Sequence, residues 1–391
     1  MIKLIKSTFF EEQQTKAALS DFITSANILS MGEQCKMFET NFAKHQERNH
    51  CCFVNSGSSA NLLLLQSLVN LGRLKIGDKI AFSSLTWSTN VMPIIQLGLI
   101  PIPIDVELET LNINSKNLKE AFSNENIKCL FITNLLGFCS DLDEISLFCS
   151  EKNIILLEDN CESLGSVLKG KKLGKFGLAS TTSFFVGHHL STIEGGSVLT
   201  DDKELYDMLM IARAHGWSRN IDSNLQSELL KKHRVDRFYN QYSFYELGYN
   251  LRPTEINGFL GNNQLTYLDL MISIRQENYF LYQNAAEKNP NILPLNTGHM
   301  DLVSNFAYPL VFKSKELFSA YKDLFMSSLI EIRPIVGGNI TQQPFYKKFF
   351  GESHDMINAE QIHENGFYIP NNPELNTSEL KIITDTISTI L

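Results

Sequence analysis

Residues 154–162 read Ile-Ile-Leu-Leu-Glu-Asp-Asn-Cys-Glu. Four apolar residues in a row, two of them β-branched, run straight into turn formers, which describes a short strand buried on both faces. Carboxylates at the tip of such a strand are costly to bury unless a cation or hydrogen bonds offset them. Outward from this stretch, buried strands are predicted at Cys51–Val54, Lys79–Phe82, Ile100–Ile104, Cys129–Thr133, Thr181–Val186 and Ser197–Thr200. Between them Ala60–Leu71, Thr89–Leu97, Asn117–Ala121 and Leu142–Glu151 carry apolar residues at helical spacing. Strand–helix alternation at this pitch predicts an α/β fold with a largely parallel sheet, helices on both faces, and a site at the carboxyl ends of the strands. Asp201–Ala214 reads as a further helix, residues 215–250 lack a clean period, and Glu255–Ile274 reads as one long amphipathic helix. Beyond about 275 the pattern becomes α+β. The expected division is a large domain over 1–255, including an N-terminal helical segment, and a smaller C-terminal domain over 256–391.

Composition narrows the function classes. The chain carries 34 Lys+Arg against 43 Asp+Glu, a formal net charge of −9, and 43% of it is hydrophobic. That is a globular balance without the basic footprint of a nucleic-acid binder. The longest apolar stretch, Val91–Ile104, is interrupted by Pro93, Pro101 and Pro103 and is too short to span a bilayer. The first residues, MIKLIKSTFFEEQQ, turn acidic before a signal-peptide core can form, so a cytoplasmic protein is expected. Seven cysteines are an odd number, and the spacing of Cys129, Cys139 and Cys149 fits neither a zinc ribbon nor an iron–sulfur site. Buried, reduced thiols are the expectation.

Four stretches can carry chemistry. Asn55–Asn61, NSGSSAN, joins a strand to a helix and presents Gly57, Ser58 and Ser59 at the helix start. Free amides there suit a phosphate, although an ordinary capped turn has the same look. Trp87 follows the next strand and offers a face for a flat heterocycle, or else joins the core. Asp159 could cap a helix or hold a protonated pyridine nitrogen, strengthening the ring as an electron sink. The loop SFFVGHHLSTIEGG over 183–196 pairs His188 with His189. Adjacent histidines rarely share an ion, so no metal is expected, and one imidazole as general acid/base suits the neutral range.

MGEQCKMFE from Met31, NSGSSANLL, SSLTWSTNVMPI, EDNCESLG, SFFVGHH…EGGSVLT and GYNLRPTEINGFLG together make the chain resemble the DegT/DnrJ/EryC1/StrS sugar aminotransferase family. The resemblance covers nearly the whole chain and implies fold type I, the aspartate aminotransferase-like architecture that binds pyridoxal 5'-phosphate (PLP) or pyridoxamine 5'-phosphate (PMP). In that family a Schiff-base lysine lies five residues beyond the Ser of the SF strand. Here that position is His188, and the nearest lysines, Lys169, Lys171, Lys172 and Lys175, precede the strand. A histidine at this place is similar to the PMP-dependent sugar 3-dehydratases, and FFVGHHLSTIEGG with RAHGWSRN looks most like the branch acting on GDP-4-keto-6-deoxy sugars. A CDP-linked branch also has the histidine but binds an iron–sulfur cluster through later cysteines. No cysteine follows Cys161, so no cluster is expected.

The resemblance implies these roles. Gly57, Ser58 and Ser183 hold the cofactor phosphate, with Asn250 reaching it from a neighbouring subunit of a homodimer. Trp87 stacks on the ring, Asp159 pairs with its nitrogen, Glu162 lies near the ring face or hydroxyl, and His188 is the base. His215, Arg219 and Arg333 are candidates for substrate binding. The implied reaction removes the C-3 hydroxyl of a GDP-4-keto-6-deoxy sugar, a hexose such as mannose or a heptose, with L-glutamate regenerating PMP. It would serve 3,6-dideoxy sugar biosynthesis for surface polysaccharide. Two alternatives stand beside it: a nucleotide-sugar 4-aminotransferase working without a lysine–cofactor bond, and a non-catalytic cofactor or sugar-nucleotide binder.

Overall fold

Within each strand, alternate residues serve opposite faces of one sheet. In the computed structural model, which describes residues 1–351 and 355–391, the main sheet has seven strands. They are β1 (His50–Val54), β2 (Lys79–Ser83), β3 (Ile100–Ile104), β4 (Ile127–Thr133), β5 (Ile155–Asp159), β6 (Ala179–Ser183) and β7 (Gly196–Thr200). Their spatial order is β1-β7-β6-β5-β4-β2-β3. The five strands from β6 to β3 are parallel, and β7 runs antiparallel to both β6 and β1. Ile80, Phe82, Phe131 and Leu157 pack on one face against Leu63, Leu64, Leu205 and Leu209 of the helices Gly57–Asn70 and Lys203–Arg213. Ala81, Leu130, Ile132 and Leu156 pack on the other, in a core that also holds Tyr282, Tyr308 and Ile369. This second core joins the sheet to the C-terminal layer.

That layer contains an antiparallel sheet of β8 (Ala307–Val311), β9 (Arg333–Pro334) and β10 (Gly366–Pro370), ordered β8-β10-β9. The start of the chain pairs with it, since Ile2 N donates to Leu329 O at 2.7 Å and Glu331 N to Ile2 O at 2.9 Å. Gly337 presses on the loop after β2. Its φ is +65°, and a Cβ there would lie 1.7 Å from Thr86 O, so only glycine fits without movement.

Two sequence expectations need correction. The strand expected over Thr181–Val186 ends at Ser183. Beyond it the loop closes on itself through Phe184 N to Gly195 O (2.9 Å) and Val186 N to Ile193 O (3.2 Å), while the Phe184 ring is buried among Phe38, Phe42 and Phe53. The single helix expected over Glu255–Ile274 is two, Glu255–Leu265 and Leu268–Ala286. At the break Thr266 Oγ1 donates to Asn263 O at 2.7 Å, taking up a carbonyl that the continuing helix would use. The aperiodic 215–250 segment contains a helix, Ser223–His233, capped by Asp222 and without a buried residue. A helix that buries no residue leaves no stripe in the sequence. Among the described residues no helix is long and apolar enough to cross a membrane.

Candidate active site

The carboxyl ends of β2, β4, β5 and β6 converge on a cavity of about 340 Å³, closed from the opposite side by Phe306, Arg333 and Tyr368 of the C-terminal layer. Gly57, Ser58, Trp87, Asp159, Glu162, Ser183 and His188 all line it. Segments far apart in the chain thus supply a single pocket.

Asp159 ends β5 and is buried. Asn61 Nδ2 and Asn90 Nδ2 both donate to its Oδ2, at 2.9 and 2.7 Å, and Cys161 N donates to Oδ1 at 2.9 Å. Three donors thus converge on one carboxylate. The two amides are functional candidates that sequence reasoning missed, although both lie in quoted motifs. Their own Oδ1 atoms are buried with no hydrogen-bond partner.

Gly57 begins a 14-residue helix whose N-terminus opens on the cavity. Ser56 Oγ accepts from Ser59 N at 3.0 Å, and Ser56 O from Ala60 N at 3.0 Å. The amides of Gly57 and Ser58 have no acceptor among the described residues, which leaves donors and the helix dipole for an anion. A Cβ on Gly57 would lie 2.7 Å from Ser183 Cβ and 3.0 Å from Cys161 Sγ, so the cradle is closed to a larger residue. Trp87 is 53% exposed, and its ring is therefore a free face rather than core.

Glu162 is buried with one backbone donor, Leu136 N at 2.8 Å on Oε2. Burial outweighs that bond and, with the charge of Asp159, pushes its carboxyl up to about 8. His188 sits half-buried between aromatic rings, 5.9 Å from Phe185 and 5.3 Å from Phe306 by centroids, both edge-on. Its Nδ1 is buried with no hydrogen-bond partner. Burial pushes the imidazole down to about 4, the Arg275 charge adds to this, and Asp159 opposes it. His188 is accordingly a neutral, unsatisfied imidazole at pH 7. His189 turns away and meets Ser304 O at 3.0 Å.

Three expected residues lie apart from this cavity. Asn250 and Arg219 line a separate cleft of about 400 Å³, and His215 stacks edge-on against Trp217 beside it. Arg219 lies 4.0 Å over the Trp217 ring and donates to Gln241 O, while Arg252 Nε donates to Asn250 Oδ1 at 2.9 Å. Arg333 does line the main cavity and pairs with Glu331 at 2.8 Å. No lysine lines the cavity; Lys169 pairs with Asp143, Lys172 reaches His45 O, and Lys175 pairs with Glu47. Among the described residues no cluster of three or more His, Cys, Asp or Glu could hold a metal ion.

Residues 10–388 match the DegT/DnrJ/EryC1/StrS aminotransferase family. The chain belongs to this family. Within it, GDP-4-keto-6-deoxy-D-mannose 3-dehydratase of Escherichia coli O55:H7 is 36% identical over 374 residues, covering 94% of each chain. The solved structure of E. coli GDP-4-keto-6-deoxy-D-mannose-3-dehydratase with bound hydrated PLP has a TM-score of 0.89 and 33% identity, over 99% of both chains. A structure of GDP-4-keto-6-deoxymannose-3-dehydratase holding a trapped PLP-glutamate geminal diamine has a TM-score of 0.88 and 32% identity, over 99% of this chain and 100% of that one. The match to the DegT/DnrJ/EryC1/StrS family fits the seven-stranded, mostly parallel sheet and its fold type I connectivity.

Proposed function

We propose that this chain is a PLP/PMP-dependent 3-dehydratase of a GDP-4-keto-6-deoxy sugar, with L-glutamate as the amino donor. One observation carries the reading. At the position where an aminotransferase of this family would place its lysine, the cavity has a neutral imidazole with an unpartnered Nδ1, and no lysine replaces it. The relatives named above carry this activity in their names, and they hold hydrated PLP or PLP joined to glutamate.

The residues present suit the cofactor. The unused Gly57 and Ser58 amides with Ser183 would take its phosphate, the exposed Trp87 face its ring, and the triply supported Asp159 carboxylate its nitrogen. When bound, that group supplies an electron sink that lets a poor leaving group such as hydroxide depart. His188, neutral above pH about 4, can accept a proton at its imidazole and return it near the departing oxygen. Glu162, held as a neutral acid at pH 7, can donate a hydrogen bond without adding a second negative charge beside Asp159. Phe185 and Phe306 flank the imidazole edge-on.

In this reading the large domain spans 1–255 and the smaller one 256–391. The enzyme is a cytoplasmic homodimer in which the Asn250 cleft, with His215 and Arg219, borders the cavity of the neighbouring copy. Arg333 would meet substrate within its own chain.

The test is incubation with GDP-4-keto-6-deoxy-D-mannose, PLP and glutamate, followed by product masses. A sugar nucleotide one oxygen lighter, with ammonia and 2-oxoglutarate released, is the expected result. A stable 4-amino sugar in its place would overturn the reading in favour of an aminotransferase.

A further inference from the structure

Arg275 is the buried charge that the proposed chemistry leaves without a task. It projects from the helix Leu268–Ala286 and is 4% exposed. Its guanidinium meets three backbone carbonyls from three segments. Nη1 donates to Asn371 O and, at 3.3 Å, to Phe306 O, and Nη2 donates to His188 O at 3.4 Å. Asn371 Nδ2 returns a bond to Arg275 O at 3.0 Å, which ties the helix to the segment after β10. Among the described residues no carboxylate pairs with Arg275, and its Nε has no partner at all. Burial lowers its pKa to about 9, so it stays cationic at pH 7.

An unpaired buried cation is expensive, and an apolar side chain of similar volume is often at least as stabilising. Carbonyl dipoles meet the two Nη groups of Arg275 without neutralising its charge. That charge is therefore felt by what lies beside it, the His188–His189 loop, whose two imidazoles meet the Phe306 ring edge-on. We propose that Arg275 is a positioning residue for His188: it clamps the loop through the His188 carbonyl and sets an unpaired buried cation beside the imidazole. The proposal rests on the reading of His188 as the proton carrier. The other titratable groups around that imidazole are His189 in the same loop, Asp159 and Glu162 from the sheet side, Glu194 across the loop, and Arg333 and Tyr368 from the C-terminal layer. Of these, Asp159 acts most directly against Arg275, favouring the charged imidazole.

The experiment titrates His188 by NMR in the cofactor-free chain, for the parent, Arg275→Met and Arg275→Lys. The parent should titrate near 4. Arg275→Met removes the charge and should raise the midpoint by about one unit, the scale of a nearby-charge effect. Arg275→Lys keeps the charge with fewer donors and should titrate like the parent. If Arg275→Met does not fold, Arg275→Gln replaces it, retaining a donor for one carbonyl. A neutral variant that titrates like the parent, or an Arg275→Lys midpoint raised as far as the neutral variant's, would overturn the proposal. The acid limb of kcat/KM in the holoenzyme separates the two readings. If the midpoint of His188 moves with the charge at position 275 while that limb stays fixed, Arg275 does set the imidazole, and it is the assignment of His188 as proton carrier that fails.

Discussion

On the sheet side of the cavity Asp159 receives three N–H donors, two of them amides converging on a single oxygen, whereas on the loop side the Nδ1 of His188 receives none. Both groups line one pocket of about 340 Å³. On the sheet side, donors satisfy the carboxylate. Burial among rings favours the neutral form of the imidazole, which leaves it ready to accept a proton. One pocket thus keeps a charge and a proton acceptor apart by environment alone, which is how two titratable groups come to hold different states at one pH.

The largest expected effect comes from removing the neutral side. His188→Asn keeps approximate size but cannot carry a proton, and general acid–base assistance is worth about 10²–10⁴-fold. Turnover to the deoxygenated sugar should fall by that much, while PLP affinity, read by fluorescence titration, should hold, because the proposed phosphate contacts lie elsewhere. Activity within a few-fold of the parent would show that the base is another group. His188→Lys sharpens the contrast, because it restores an amine: borohydride should then trap PLP on the protein, which it should not do in the parent.

Gly57→Ala tests the anion cradle on the sheet side. The new Cβ would sit 2.7 Å from Ser183 Cβ, so either the helix start or β6 must shift. Losing one charge-assisted bond costs about 1.5–3 kcal/mol, or roughly 10–100-fold in affinity. PLP binding should weaken by that factor, and the unfolding midpoint should fall as well, because overpacking a buried site costs about 1–3 kcal/mol. An unaltered affinity would mean that the phosphate is held somewhere else.

How much of this contrast was legible in the sequence depended on what each residue does locally. The central strands β4 and β5 announce themselves because buried parallel strands are nearly uninterrupted apolar runs, and Ile155–Asp159 is the clearest of them. Gly57 and Asp159 are legible because they stand just beyond or at the end of a strand, and His188 because it occupies the position of the family's lysine. Asn61 and Asn90 are not, since an asparagine in a helix or a short turn reads as polar surface, and only the folded sheet brings both onto Asp159 Oδ2. Arg275 is hidden in the same way, because its three acceptors come from His188, Phe306 and Asn371, far apart in sequence. The end of β6 was misjudged because Phe184 is as apolar as a strand residue, yet it packs among other phenylalanines off the sheet.

Removing the support of Asp159 should bring a smaller effect. Asn61→Leu takes away one of two donors on Oδ2 and leaves part of a buried carboxylate unmet. The expected cost is about 1–3 kcal/mol of stability by urea unfolding, the scale for a buried polar group that loses a partner. The same substitution also removes an unpartnered amide oxygen, which works in the opposite direction. A stabilised Asn61→Leu would mean that the orphaned oxygen outweighs the bond to Asp159.

The last effect is read as a slope rather than a single change, and it belongs to Glu162, which lies three residues beyond Asp159 with a single donor. Its carboxyl is raised by burial from the ordinary 4.5 to about 8. Between those values the folded chain holds a proton there that the unfolded chain releases, so the contribution of Glu162 to stability is fully present below 4.5 and is lost as pH rises through about 8. Glu162→Gln is neutral at every pH and lacks this dependence. Other titrating groups are shared by parent and variant and cancel in the difference. The Tm of Glu162→Gln relative to the parent should therefore climb steadily from pH 5 to pH 8 and level off above it. Parallel Tm curves would place the Glu162 carboxylate in the ordinary acid range, and the cavity would then hold two anions rather than one anion and one neutral acid.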